Sequence, residues 1–168
     1  MSVLSVEGFA IASMVLAFRG DAPSLAVEDW GGMLGRVMLA MVVGAVIGGD
    51  REVAGKPAGL RTHMLVSVGS ALFVMAILQM GDSTEALSRA IQGVAAGVGF
   101  LGAGEILQKR KESGKWAVKG LTSAAATWLS AALGVLAGCG LWRLCVIGGG
   151  AALLILVSAK WFERHLPD

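Results

Sequence analysis

Five long apolar runs restrict the chain to folds that cross a membrane. They lie at 33–49, 62–80, 90–107, 121–138 and 141–159. Each is about 17 to 20 residues long, the length that an α-helix needs to cross a hydrocarbon core of roughly 30 Å. A soluble helix of this length would carry a polar stripe, but residues 64–78 of the second run offer only two serines and a glycine. We therefore predict an all-α fold, a polytopic transmembrane helical bundle with five spans.

The composition agrees with a membrane location. Of the 168 residues, 55% are hydrophobic and 15% are charged, a balance typical of integral membrane proteins rather than soluble domains. The net charge of +2 provides no electrostatic surface for nucleic acid. The expected surrounding is the lipid bilayer, and nucleic acid is not an expected partner.

Lysine and arginine are distributed unevenly between the connecting segments. Most of them fall in 50–61, in 108–120 and in the C-terminal tail, whereas the alternate connections carry Arg19, Arg89 and Arg143. Because Lys and Arg accumulate in cytoplasmic loops, this distribution predicts a cytoplasmic C-terminus.

The N-terminal stretch VLSVEGFAIASMVLAF (3–18) is ambiguous. It is short for a span, carries Glu7 and lacks the basic start of a secretory signal. It could be a sixth span, an interfacial helix or a poorly ordered start. We divide the chain into an N-terminal hydrophobic segment with an acidic linker (1–32), a transmembrane domain (33–160) and a short cytoplasmic tail (161–168).

The stretch GVGFLGAGEIL (97–107) has the glycine spacing of a dinucleotide-binding turn. That turn needs a preceding strand and an acidic residue about 20 positions later, and neither is indicated here. Glycines inside an apolar helix instead favour close packing between helices in lipid. We assign six glycines to such packing: Gly44, Gly48, Gly93, Gly97, Gly134 and Gly138. The contacts could lie within one subunit or join two, and a homo-oligomer is expected.

Several polar residues fall near the cytoplasmic ends of the spans. Glu105 lies roughly 22 Å into the third span at 1.5 Å per residue, which places it level with the end of the first span and the start of the second. The predicted polar cluster comprises Asp50, Arg51, Arg61, Thr62, His63, Glu105 and Thr122. Ionisable groups at membrane depth are costly and usually mark a functional site or paired anchors. Neutralisation of Asp50 and Glu105 by arginine is the structural alternative, and both interpretations stay open.

A divalent-cation site is one form of the functional interpretation. Asp50 and Glu105 would provide carboxylates, and Thr62, Thr122 and backbone carbonyls could provide further oxygen ligands for Mg²⁺. No other cofactor is expected. The sequence contains neither a P-loop nor a nucleophile elbow, so an enzyme is not expected.

Three further residues have ordinary structural interpretations. Arg36, near the outer end of the first span, is expected to extend toward the headgroups. Cys139 and Cys145 lack the spacing of a zinc site. Buried apolar packing is the favoured interpretation of these cysteines, and a periplasmic disulfide is the alternative.

Four successive segments form a linked pattern: GAVIGGDRE (44–52), AGLRTHMLVSVGSALF (58–73), GVGFLGAGEIL (97–107) and VKGLTSAAATWLSAALGVLAG (118–138). In order and spacing they resemble the signature segments of the MgtC/SapB family of bacterial inner-membrane proteins. The resemblance implies a multi-span membrane domain that helps bacteria grow in low magnesium and, in several pathogens, persist inside macrophages. It also implies the membrane domain alone, without the soluble C-terminal domain of longer relatives.

The resemblance implies a regulator of another membrane protein, such as the ATP synthase, which the family restrains through contact inside the membrane. The alternative is a magnesium or other cation carrier or channel that uses the polar cluster. Three positions depart from the family pattern. Asp50 stands where many relatives have Glu, Glu105 stands where they often have an apolar residue, and Thr122 stands where some have Asn.

Overall fold

Five helices and one hairpin make up most of the described chain. The computed structural model describes residues 30–81, 83–110 and 116–165. The helices are α1 (Trp30–Val53), α2 (Leu60–Gln79), α3 (Thr84–Glu105), α4 (Leu121–Gly138) and α5 (Trp142–His165). Between α3 and α4, strands β1 (Leu107–Arg110) and β2 (Trp116–Lys119) pair antiparallel. The predicted all-α helical bundle is confirmed, and the hairpin is an addition within the segment predicted as a basic loop.

Four of the described helices, α1 to α4, are long and apolar enough to cross a membrane. The apolar part of α5 with described side chains, Trp142–Ser158, is shorter, so the fifth crossing stays a prediction. The third helix begins at Thr84 rather than at 90 because the Ser83 side chain accepts a hydrogen bond from the Ala86 backbone N–H at 3.4 Å and caps it. The ambiguous segment 3–18 lies outside the described residues.

Helix α4 is the centre of the bundle. It contacts each of the other four helices, and 56% of its apolar window is buried, against 22% to 33% in α1, α2 and α3. The hydrophobic core surrounds it: Ala40, Val43, Ile47, Ala71, Ala126, Leu133, Ala137, Cys145, Ala152 and Leu156. The position of α4 therefore determines where the other helices can lie.

Helices α2 and α4 approach each other at two glycines. A Cβ atom at Gly134 would overlap the carbonyl oxygen of Ser67, and one at Gly138 would lie 2.7 Å from the carbonyl oxygen of Ala71. Real Cβ atoms do not come so close to backbone oxygen, so only glycine permits this separation. Gly44 has a similar position on α1, where a Cβ would lie 2.7 Å from the carbonyl oxygen of His63.

The six glycines assigned to packing fall into two groups. Gly48, like Gly44, Gly134 and Gly138, lies against a neighbouring helix, and its Cβ would be 2.8 Å from the Leu60 Cα. At Gly93 and Gly97 a Cβ would meet nothing within 4 Å. Among the described residues these two glycines therefore contact no neighbouring helix, because α3 buries a different face. Packing between subunits stays a prediction.

Arg36 connects α1 to the last turn of α4. Its Nη1 donates a hydrogen bond of 2.8 Å to the carbonyl oxygen of Gly138. The last carbonyls of a helix have no partner within the helix, so this guanidinium satisfies one of them. Arg36 thus caps α4 in place of the predicted extension toward the headgroups.

The two cysteines are free thiols, so the structure does not contain the alternative disulfide. Cys145 is buried, and its Sγ donates to the carbonyl oxygen of Leu133 at 3.4 Å. Cys139 lies between α4 and α5, where burial raises the pKa of its thiol and the charge of Arg36 partly opposes that shift. Both act as small packing residues here.

We expect Gly134→Ala to separate α2 from α4, because the added methyl group would overlap the Ser67 backbone. Overpacking of this kind costs about 1–3 kcal/mol of unfolding free energy, and occasionally more. Gly97→Ala is the matched control: it adds the same methyl group to open space and stabilises a helix by up to about 1 kcal/mol. Reversible unfolding of the purified variants in detergent measures both effects, and equal stability of the two variants would contradict the prediction.

Candidate functional site

Glu105 is the last residue of α3, and its carboxylate lies against α4. Oε1 accepts a hydrogen bond of 2.7 Å from the Thr127 hydroxyl. Oε2 is buried and has no hydrogen-bond partner. A buried polar atom without a partner is costly, so this oxygen is the strongest sign in the described residues that something else binds here.

Gly120 brings the end of α3 and the start of α4 together. Its φ of +97° lies in the left-handed region that glycine tolerates best. A Cβ at this position would overlap the carbonyl oxygen of Glu105. The turn before α4 therefore touches the backbone of Glu105. Further along α4, Thr127 binds the carboxylate of the same residue.

Two cavities meet at Glu105. The larger has a volume of about 470 Å³ and is lined by Gly55, Lys56, Pro57, Glu105, Val118, Lys119, Gly120, Leu121, Thr122 and Ser123. The smaller has a volume of about 230 Å³ and is lined by Pro57, Ala58, Thr62, Leu101, Gly104 and Glu105. Thr122 and Thr62 of the predicted polar cluster thus each line one of the two cavities that Glu105 lines.

Asp50 and Arg51 form an ion pair of their own. Nε and Nη2 of Arg51 both donate to Oδ2 of Asp50, Nε at 3.0 Å. The side chains are 3% and 15% exposed, respectively, and Asp50 lines neither cavity. The Arg51 guanidinium therefore neutralises Asp50, whereas Glu105 forms no ion pair with any described Lys or Arg.

His63 forms a separate polar contact inside the bundle. The imidazole is fully buried, Nδ1 lies 2.8 Å from the Ser130 hydroxyl oxygen, and Nε2 has no hydrogen-bond partner. Its neighbour Arg61 is exposed and lines neither cavity. The predicted cluster is therefore divided into a cavity around Glu105, the Arg51–Asp50 pair and the His63–Ser130 pair.

Sequence reasoning missed the hydroxyl partners on α4. Ser123, Thr127 and Ser130 are all buried, and their spacing of four and then three residues places them on one helical face. Ser67 of α2 is also buried and donates to the carbonyl oxygen of Ala40 at 2.7 Å. The spacing of the hydroxyl residues in LTSAAATWLS, four and then three positions, could have indicated this buried polar face.

A metal ion has few ligands in the described part of the chain. His, Cys, Asp and Glu side chains there form no group of three or more that could hold one. Mg²⁺ takes about six oxygen ligands, and Glu105 offers one free carboxylate oxygen while Asp50 is bound by Arg51. The Asp50–Glu105 metal site stays a prediction.

We expect Thr127→Val to destabilise the protein by about 1–3 kcal/mol, because the variant leaves both oxygens of the Glu105 carboxylate without a partner. Thr122→Val is the matched control at an exposed position of the same helix, where substitutions usually change stability by less than about 0.5 kcal/mol. Unfolding in detergent measures both variants. Equal losses would show that the Thr127 hydroxyl does not hold the carboxylate.

Comparison with known proteins identifies relatives over most of the chain. Residues 37–165 match the sequence profile of the MgtC family. Protein SrpB of Synechococcus elongatus is 56% identical over 144 residues, which cover 81% of this chain and 79% of SrpB. Protein MgtC of Salmonella typhimurium is 37% identical over 129 residues, which cover 77% of this chain and 51% of MgtC.

A further relative is YhiD of Escherichia coli, which is 38% identical over 128 residues, 72% of this chain and 57% of YhiD. The chain thus spans little more than half the length of MgtC and YhiD. No solved structure matches it. The resemblance in the four sequence segments is confirmed, and the chain belongs to the MgtC family.

Proposed function

We propose that the chain is a non-enzymatic regulator in the bacterial inner membrane that supports adaptation to low magnesium. It acts through contact between the outward face of α3 and another membrane protein, such as the ATP synthase. The observation that carries this proposal is the open glycine face of α3. The C-terminus is cytoplasmic in this proposal, which the uneven distribution of Lys and Arg supports.

The outward face of α3 has the features of a helix-docking surface. Helix α3 has the smallest buried share of the four long apolar helices, 22%. Gly93, Gly97 and Gly104 have no atom within 4 Å of an added Cβ, and Phe100 between them is 82% exposed. The spacing of these four positions places them on one side of the helix.

Glycine at these positions lowers the stability of α3, and packing against a partner helix would offset that loss. Each glycine destabilises a helix by up to about 1 kcal/mol relative to alanine. In lipid, small residues allow two helices to approach closely and gain packing contacts. Contact with a second helix therefore gives Gly93 and Gly97 a role that their surroundings within the described chain do not give them.

The magnesium connection is supported by relatives. The name of the Escherichia coli relative YhiD describes it provisionally as a magnesium transporter, and the matching profile is that of the MgtC family. A cation carrier is the second candidate function for this chain. The free Oε2 of Glu105 at the meeting point of two cavities favours it.

We expect Gly97→Leu to abolish growth support at limiting magnesium, because the larger side chain prevents a partner helix from reaching α3. Gly150→Leu on α5 is the matched control, since an added Cβ also meets nothing within 4 Å there. Growth of a host strain that depends on the chain measures the effect, with the amount of each variant in the membrane determined in parallel. Equal growth of the two variants would contradict the proposed α3 surface.

We expect no magnesium flux above that of empty liposomes for the purified protein, for Glu105→Gln or for Asp50→Asn. The regulator acts by contact, and the His, Cys, Asp and Glu side chains of the described residues form no group of three or more that could hold a metal ion. A fluorescent Mg²⁺ indicator inside the liposomes measures the flux, and circular dichroism verifies that the inserted protein is folded. Saturable flux that both substitutions abolish would establish the carrier and refute the regulator.

A further inference from the structure

We propose that the larger cavity binds a zwitterion with a primary ammonium group at Glu105 and a phosphate group at Lys56 and Lys119. The chemistry is that of phosphoethanolamine, as a membrane lipid headgroup or as a soluble molecule. This site is independent of the α3 surface and of the regulator proposed above.

The charges that line the cavity exclude simpler ligands. A bare cation at Glu105 would share the cavity with Lys56 and Lys119, and no other carboxylate is among the residues that line it. A bare anion attracted to the two lysines would meet the Glu105 carboxylate. A ligand that carries both charges matches a cavity lined by one carboxylate and two ammonium groups.

Glu105 is prepared to accept hydrogen bonds from an ammonium group. Thr127 fixes Oε1 at 2.7 Å, and Oε2 has no partner in the protein. No described Lys or Arg neutralises this carboxylate. Glu105 lines the cavity, and the last torsion of a glutamate side chain is soft, so the carboxylate can turn to share its two oxygens between Thr127 and a donor in the cavity. A primary ammonium provides the N–H donor and the positive charge that the carboxylate lacks.

The lysines and hydroxyls that line the cavity suit a phosphate. Lys56 and Lys119 belong to different segments, one after α1 and one at the end of β2, and both line the cavity. Lysine is a common phosphate-binding residue, and the hydroxyls of Thr122 and Ser123 line the same space. These groups could donate hydrogen bonds to phosphate oxygens.

The size and position of the cavity agree with such a ligand. Its volume of about 470 Å³ lies within the range of small-molecule sites, roughly 300–1,000 Å³. It lies where α3 ends and α4 begins, and the ends of membrane-crossing helices lie at the level of lipid headgroups. An ethanolamine headgroup therefore reaches the cavity from the bilayer, and soluble phosphoethanolamine reaches it from water.

The test compares two probes with the same phosphate group and the same positive charge but different ammonium groups. Phosphoethanolamine has a primary ammonium, whereas the trimethylated ammonium of phosphocholine has no N–H group. We expect the full chain, purified in an uncharged glycoside detergent, to bind phosphoethanolamine more tightly by roughly tenfold to a hundredfold, the worth of a hydrogen bond to a charged group. Calorimetric titration measures both affinities.

Substitutions test which residues bind the ammonium group and which bind the phosphate group of the ligand. Glu105→Gln keeps the side-chain shape and an acceptor for Thr127, so the protein should fold but lose the preference for phosphoethanolamine. Lys56→Gln and Lys119→Gln should lower the affinity for both probes and leave the preference for phosphoethanolamine unchanged. Glu85→Gln is the matched control, because it makes the same change in the first turn of α3, at the other end of the helix from Glu105. It should bind like the unmodified protein.

Lipid binding distinguishes the two sources of the ligand. Native mass spectrometry with phosphatidylethanolamine and phosphatidylcholine shows whether the headgroup preference extends to lipids. Retention of phosphatidylethanolamine without binding of the soluble probe assigns the site to a lipid, and the reverse result assigns it to a soluble ligand. Equal binding of the ethanolamine and choline forms, a preference that survives Glu105→Gln, or Glu105-dependent binding of Mg²⁺ alone would overturn the proposal.

Discussion

The backbone contact between α2 and α4 is the constraint on which the bundle depends. Gly134 and Gly138 allow α4 to lie directly against the carbonyl groups of Ser67 and Ala71. In lipid the hydrophobic effect does not drive helices together, so packing and hydrogen bonds must do so. The close approach provides the packing, and it also brings side chains of α2 within hydrogen-bonding distance of α4. His63 and Ser130 meet for this reason.

Short hydroxyl side chains satisfy much of the polarity buried in the bundle. Ser67 donates to a carbonyl of α1, Ser130 contacts the imidazole of His63, and Thr127 donates to Glu105. Each contact joins two helices, so these hydrogen bonds add specificity to contacts that glycines make possible. The Arg51–Asp50 pair is different, because its two partners are neighbours on α1. It neutralises charge at the end of α1.

The sequence predicted the helices well because length and apolarity are local properties. The bounds of α4 agree with the predicted span, and α3 differs mainly because Ser83 starts the helix earlier. The hairpin was missed because its pairing depends on how the ends of α3 and α4 are placed. The depth of Glu105 along its helix could be estimated from the helix rise alone, but its hydrogen-bond partner Thr127 could not. A depth estimate cannot tell which side of a helix faces a neighbour, so it grouped Asp50 with Glu105 and omitted Thr127.

Gly120 has a consequence for how the chain between α3 and α4 can vary. Its backbone lies directly against the carbonyl group of Glu105, so the two helix ends meet at this point and the hairpin leaves and returns at the same place. The distance between α3 and α4 is therefore set by this contact and not by the number of residues in the hairpin. Insertions or deletions between the strands can accumulate in evolution without moving either helix, whereas the glycine that closes the loop cannot be exchanged freely.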